Sequence, residues 1–258
     1  MKKKRIAVVT GASSGMGREF ALALEAKRGE LDEMWVIARR ADRLEALREE
    51  ISIPLRVLAM DLTDPHSFDA YAALLKEEKP CVRYLINCSG FGKFGRYDQI
   101  PLSDSLSMID LNCKALVSMT ELTLPYMHCG AHIIELDSLS SFQPVPYLNV
   151  YAATKAFVLS YSRSLNCELK DRGIHVMAVC PGWVQTEFFD RATTTSQDAV
   201  TYFNILYQPR DIIRTAMKDM ERGKDLSIHG LPVKAQVLAV KLLPHSLVMK
   251  IWLRQQKH

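Results

Sequence analysis

Short apolar runs rich in β-branched residues alternate with longer stretches whose apolar positions recur every three to four residues. Ile6-Ala7-Val8-Val9, Met34-Trp35-Val36-Ile37-Ala38, Leu55-Arg56-Val57-Leu58-Ala59, Val82-Arg83-Tyr84-Leu85-Ile86, the stretch 132–136 and the stretch 175–179 read as strands, most of them apolar enough to be buried on both faces. Between them, Ala41 to Ile51 places Leu44, Leu47 and Ile51 along one helical face, and 64–79, 103–127 and 150–171 also read as helices. Regular strand–helix alternation builds a parallel sheet, because each parallel crossover needs a helix to return the chain. The fold class expected is therefore α/β, a single-domain doubly wound parallel sheet with helices on both faces.

Composition narrows the function classes. A chain of 258 residues, 48% hydrophobic and 24% charged, can bury a full core, and no Pro/Gly/Ser-rich linker or charge block divides it. The formal charge of +4 arises from 33 basic and 29 acidic residues, too balanced for a nucleic-acid partner. Cys81, Cys88, Cys113, Cys129, Cys167 and Cys180 are scattered without Cys-x-x-Cys or Cys/His spacing. They read as reduced thiols of a cytoplasmic protein, with no metal site. The opening Met1-Lys2-Lys3-Lys4-Arg5 resembles the start of a signal peptide, but the apolar run after it stops at Thr10-Gly11, and no run is long enough to span a bilayer.

The candidate chemistry follows the predicted strands. After the first comes Thr10-Gly11-Ala12-Ser13-Ser14-Gly15-Met16-Gly17 and then a helical stretch, the arrangement that aims N–H groups and a positive helix end at a pyrophosphate. The second strand ends at Arg39-Arg40 and not at an acid, which favours NADP(H) over NAD(H) because arginine can receive a 2′-phosphate. A solvated pair leading into the next helix is the other reading of these arginines. In such a sheet, ligands bind beyond the carboxyl ends of the strands. Gly11 to Gly17, Arg39, Asp61, Asn87, Ser138 and Pro181-Gly182 all follow predicted strands and gather on one edge. Tyr151 and Lys155 lie four residues apart on one helical face, so an ammonium can approach a phenol whose ordinary pKa of about 10 is too high for acid–base work near neutrality. Such pairs occur freely on helices, so the assignment rests on the convergence with the other strand ends.

In this ordered set, together with Asn112, Asn87-Cys88-Ser89-Gly90 and Pro181-Gly182-Trp183-Val184-Gln185-Thr186, the sequence resembles the short-chain dehydrogenase/reductase family over about residues 5 to 190. The resemblance implies a Rossmann-like dinucleotide-binding and catalytic domain over residues 1–230, with a substrate loop at about 183–208. It implies Tyr151 as general acid or base, Ser138 as hydrogen-bond donor to the reacting oxygen, Lys155 holding the nicotinamide ribose and lowering the tyrosine pKa, and Asn112 anchoring a water that links Lys155 to solvent. Gly11, Ser13, Ser14, Gly15, Met16, Gly17, Arg39, Asn87, Pro181, Gly182 and Val184 would hold the dinucleotide. Asp61 would meet its adenine and Thr186 its carboxamide. Two departures stand out: Cys88 and Ser89 replace the family's Asn-Ala, and Asp137 replaces a small neutral residue. Alternation along the strand predicts that Asp137 turns away from Ser138.

The substrate reading comes from composition. Trp183, Phe188, Phe189, Tyr202, Phe203, Leu206 and Tyr207, with Phe142, Val145, Tyr147 and Leu148 after Ser138, suit a bulky apolar alcohol or ketone of lipid or steroid type. A non-catalytic NADP-binding sensor and a reductase of small polar carbonyl compounds are the alternatives. A hydrophobic small molecule is the expected partner, with assembly as a homodimer or homotetramer. Residues 231–258 form a basic amphipathic tail without an acidic residue, split by Pro244, which suits a neighbouring subunit, the substrate cleft or peripheral contact with a membrane.

Overall fold

The computed structural model describes residues 3–196 and 198–256. Met1, Lys2, Gln197, Lys257 and His258 lie outside the described residues, and with them the ends of the two expected blocks and the last cation of the tail. Strands β1 (Arg5–Thr10), β2 (Glu33–Ala38), β3 (Leu55–Ala59), β4 (Cys81–Asn87), β5 (Met127–Leu136) and β6 (His175–Val179) pair in parallel. Two further short strands, β7 (Trp183–Val184) and β8 (Leu206–Tyr207), form a separate parallel pair, and β9 (Leu226–Ser227) closes the main sheet. Among the described residues the main sheet has seven strands in the order β3-β2-β1-β4-β5-β6-β9. The chain reverses its direction of travel between β1 and β4, and that switch opens a crevice at the carboxyl ends.

Both faces of the sheet are buried, and the period of two in each strand shows how. Ala7 and Val9 with Met34 and Val36 face one side, under α1 (Gly15–Ala23). Ile6 and Val8 with Trp35 and Ile37 face the other, under α3 (Pro65–Glu78). The helix α3 begins where it was expected, with Asp64 accepting from the N–H of His66 and Pro65 in the first turn, and ends at Lys79 in a left-handed conformation.

Other helices depart from the sequence expectation. The stretch 41–51 is α2 (Ala41–Glu45) followed by a tighter turn at Ala46–Glu49, although Leu44, Leu47 and Ile51 all enter the core as their spacing requires. The single helix expected over 103–127 is two, α4 (Leu102–Ile109) and α5 (Ala115–Thr123), joined by a wide π-type turn at Asp110–Lys114. Met127, expected at a helix end, instead opens β5. The long α6 runs Asn149–Glu168, α7 is Phe188–Ala192, α8 is Pro209–Glu221, and the tail supplies α9 (Leu231–Leu242) and α10 (His245–Gln255). Pro244 breaks the tail as expected, because its ring cannot continue the helix.

Candidate active site

At the crevice the chain encloses a cavity of about 910 Å³ that extends from the glycine turn to the tail. The turn is shaped by two close approaches. Gly11 sits at φ +68°, where a Cβ would lie 2.9 Å from the Cys88 carbonyl, and a Cβ on Gly17 would lie 2.3 Å from the Gly11 oxygen. Thr10 ties this turn to the end of β4, its hydroxyl accepting from the N–H groups of Cys88 (3.0 Å) and Ser89 (3.1 Å). These contacts define the environment of the two residues at which the family pattern departs. No side chain caps the first turn of α1 and no acid sits in it, so the positive helix end serves the cavity.

Ser13, Ser14, Gly15 and Met16 line the cavity on one side, and Pro181, Gly182, Val184 and Thr186 line it on the other. Arg39 and Asp61 both reach it, as a loose pair 3.9 Å apart. Burial works against the charge of Asp61, but the Thr63 N–H and hydroxyl, together with Arg39, hold its carboxyl below the ordinary value. Of the two arginines that end the second strand, the sequence singled out Arg39, but Arg40 is the one anchored on the turn. Its guanidinium donates to the hydroxyls of Ser13 (3.1 Å) and Ser14 (2.8 Å) and to Glu187 (2.9 Å), so a cation is fixed directly over the glycine turn. Asn87 is the exception among the strand-end residues. Its side chain turns into the interior, donating to Thr120 (3.0 Å) and Glu135 (3.3 Å), and it does not line the cavity.

The catalytic candidates converge on the middle of the cavity. Ser138 caps a tight turn at Leu139–Phe142, and its Oγ accepts from both the N–H (3.2 Å) and the hydroxyl (3.0 Å) of Ser140. With both lone pairs engaged, the Ser138 hydrogen is directed outward as a donor. Along α6, Lys155 Nζ lies 5.8 Å from the centre of the Tyr151 ring and donates to the Leu136 carbonyl at 2.7 Å. Asn112 sits in the π-type turn and does not touch the cavity. Its amide exchanges hydrogen bonds with both backbone groups of Phe91 (3.0 and 2.9 Å) and donates to Thr154 (3.0 Å), so it secures the floor under Lys155.

Electrostatics here differ from the expectation. Burial holds the Tyr151 phenol above its ordinary value, the facing Ser138 hydroxyl pulls it down, and Asp137 pushes it up further. The downward pull expected of Lys155 does not surface, because the ammonium is itself disfavoured by burial and is directed at a carbonyl. Asp137 turns its carboxyl onto the Cys180 thiol (3.1 Å), away from the Ser138 hydroxyl, but it stays in the site, buried and within range of both Tyr151 and Lys155. Burial pushes the Asp137 carboxyl up to about 7, so this charge appears across the neutral range. An ionised Asp137 raises the pKa of both neighbours. Replacing Asp137 with Asn removes that charge, so both pKa values fall and the whole pH–rate profile of alcohol oxidation is expected to move to lower pH, by about one unit. A profile of kcat/KM against pH that stays in place or moves upward would contradict this assignment.

The far end of the cavity is aromatic and apolar. Phe94 is fully buried at the centre of a ring cluster with Trp183, Phe188, Phe189 and Phe203. The tail forms the roof: Trp252 stacks on Trp183 at 6.5 Å and donates to the Pro146 carbonyl (2.9 Å), while Gln256 accepts from the N–H groups of Thr201 (3.0 Å) and Tyr202 (3.2 Å). Of the aromatic and apolar residues expected to line a pocket, Trp183, Phe188, Phe189, Tyr202, Val145 and Leu148 do so. Phe203 and Tyr147 pack against the ring cluster behind that lining, while Tyr207 packs against His229, Phe142 lies beneath Lys241 and Leu206 is exposed. Phe94 carried no sequence signal, since it sits in no motif or periodic stretch, whereas Trp252 lies in the amphipathic tail for which the substrate cleft was one expected place.

Comparison with known proteins gives this geometry a family. Residues 5–197 match the family described as short chain dehydrogenase. The chain is 37% identical over 186 residues to sulfoacetaldehyde reductase of Chromohalobacter salexigens, covering 70% of this chain and 72% of that protein. It is 31% identical over 256 residues to the very-long-chain 3-oxoacyl-CoA reductase of Bos taurus, covering 95% and 77%. A short-chain dehydrogenase from Sphingobium yanoikuyae, solved in complex with NADPH, superposes with a TM-score of 0.79 at 29% identity, covering 95% of each chain. Since the family match spans residues 5–197, which hold the sheet from β1 to β6 and the strand ends around the crevice, the chain belongs to the short-chain dehydrogenase family, as an oxidoreductase of the alcohol–ketone couple that works with a nicotinamide nucleotide.

Proposed function

We propose that this protein is an NADP(H)-dependent enzyme that interconverts a bulky apolar secondary alcohol and its ketone. The observation that carries the proposal is the polarity gradient of one cavity, with Arg39 and Arg40 at one end, Ser138 and Tyr151 in the middle, and the ring cluster and tail at the other. The residues present fit the dinucleotide: an uncapped helix end and Gly11-to-Gly17 turn for its pyrophosphate, Asp61 for adenine, Thr186 beside the nicotinamide, and Arg39 and Arg40 for a 2′-phosphate. When bound, it supplies or accepts the hydride. Support for the apolar end also comes from the 3-oxoacyl-CoA reductase relative.

The protein's own part is the proton and the charge. During reduction, negative charge grows on the substrate oxygen, and Ser138 and Tyr151 present two O–H donors to it, Ser138 held in that role by Ser140. Tyr151 then gives up its proton to complete the alcohol, and in the reverse direction it takes the proton from the hydroxyl. Lys155, fixed by the Leu136 carbonyl above the floor that Asn112 secures, would hold the ribose. The apolar ring cluster beside them lowers the local polarity, which strengthens each of these interactions.

Cofactor choice is tested by two substitutions. Arg39→Asp and Arg40→Ala are each expected to lower kcat/KM with NADPH by about 10- to 100-fold, the worth of a charge-assisted hydrogen bond, with little change with NADH. Equal or better use of NADH by the unaltered protein would refute the preference. The substrate class is tested by a panel of steroids, fatty acyl ketones and small aldehydes with NADPH. A second reading, reduction of a small polar carbonyl compound, draws support from the sulfoacetaldehyde reductase relative, and preferential turnover of the small aldehydes would favour it.

A further inference from the structure

The tail has two apolar faces, and the ring cluster accounts for only one of them. Val233, Val237 and Val240 of α9, with Val248 and Trp252 of α10, are buried against the body of the protein. On the opposite side of α9, Leu231, Leu238 and Leu242 recur at spacings of seven and four and form a single outward stripe, 80%, 60% and 76% exposed. Leu247 and Ile251 continue the pattern on the outward side of α10. Lys234 and Lys241 flank the first stripe at helical spacing, and Lys250 and Arg254 flank the second. Such a surface is unusual, because large aliphatic side chains clustered in water signal a surface that is covered in use.

Charge identifies what covers it. All 29 acidic residues of the chain lie before Leu226, and five of its 33 basic residues lie after it, so this stretch carries a formal +5 while the rest of the chain carries −1. A second copy docked face to face would bring lysine against lysine around every leucine. An anionic bilayer instead accepts the leucines among its acyl chains while its headgroups neutralise the cations. Leu243 and Ile251 are exposed on this side and also line the cavity, so the patch is continuous with its mouth. We propose that α9 and α10 seat the protein on an anionic lipid surface with the mouth of the cavity against the bilayer, so that an apolar substrate enters from the acyl phase without crossing water. Docking stands independently of the substrate, and the entry route rests on the apolar-substrate reading above.

The test is co-sedimentation of the full chain with phosphatidylglycerol/phosphatidylcholine vesicles and with pure phosphatidylcholine vesicles, read beside turnover of a water-soluble ketone. Binding is expected to the anionic vesicles alone and to weaken as salt rises. Leu238→Asp/Leu242→Asp and, separately, Lys234→Gln/Lys250→Gln should each reduce binding by about tenfold or more while soluble turnover is unchanged. None of these four residues lines the cavity. Absence of binding by the unaltered protein, or equal binding by both variants, overturns docking. So does an oligomer that Leu238→Asp/Leu242→Asp dissociates, since a second copy would then be what covers the stripe. Failure to turn over any ketone would sink the proposed reaction and leave the vesicle result standing.

Discussion

Tyr151→Phe is expected to lower kcat by about a thousandfold or more while NADPH binding, followed by fluorescence titration, stays near normal. The substitution removes one oxygen and keeps the ring, so the 5.3 Å contact with Phe188 and the packing of α6 survive. What disappears is the proton that completes the alcohol. Ser138 cannot replace it, because a serine hydroxyl donates a hydrogen bond but is far too weak an acid to give the proton away near neutrality. Water cannot easily replace it either, since with a pKa of about 15.7 it is an even weaker acid than the phenol. Turnover within a factor of a few of the parent would remove Tyr151 from the mechanism and with it the proposed reaction.

Ser138→Ala is expected to lower kcat by about 100- to 1,000-fold, the range for losing one preorganised donor to a developing oxyanion. The loss should fall on kcat more than on KM, because the donor matters most when the oxygen is charged. Geometry sharpens the expectation. Ser138 Oγ is held as an acceptor by the N–H and hydroxyl of Ser140, so its own hydrogen is preset before substrate arrives, and no reorganisation is needed as charge develops. An effect confined to KM in steady-state assays would show that Ser138 binds ground state and transition state alike, and would leave Tyr151 as the lone donor.

Much of this site was legible because its residues lie at strand ends, where a sequence pattern and a position in space coincide. The glycine turn, Arg39, Asp61, Ser138 and Pro181-Gly182 each follow an apolar run, and once the runs form one parallel sheet they share an edge. Asn87 shows the limit of that rule. It also ends a strand, yet its side chain points into the interior, and only a knowledge of which face lay toward Thr120 and Glu135 would have shown this. Arg40 was hidden by the same parity: of two adjacent arginines, the one fixed over the glycine turn is chosen by hydroxyls 26 and 27 residues away. The break between α4 and α5 left no proline or glycine to announce it, because the π-type turn arises where Asn112 must reach the Phe91 backbone. Alternation along its own strand places Asp137 away from Ser138, whereas its environment is set by Cys180 just past the end of β6 and by Lys155 on a helix.

The contacts of Trp252 and Gln256 carry a further consequence, for the order in which a nascent chain acquires its parts. Every residue of the cofactor cradle and the catalytic group lies before Glu187, whereas the roof over the substrate end needs Trp252 on Pro146 and Gln256 on the backbone of Thr201 and Tyr202. Synthesis proceeds from the amino end, but a domain generally folds as a unit, so the early parts wait for the late ones. The residues that meet the nucleotide are therefore all made before α8 supplies Ile212, Ile213 and Ala216 to the core beneath α1, and the ring cluster around Phe94 gains its contact with Trp252 only when the last helix arrives.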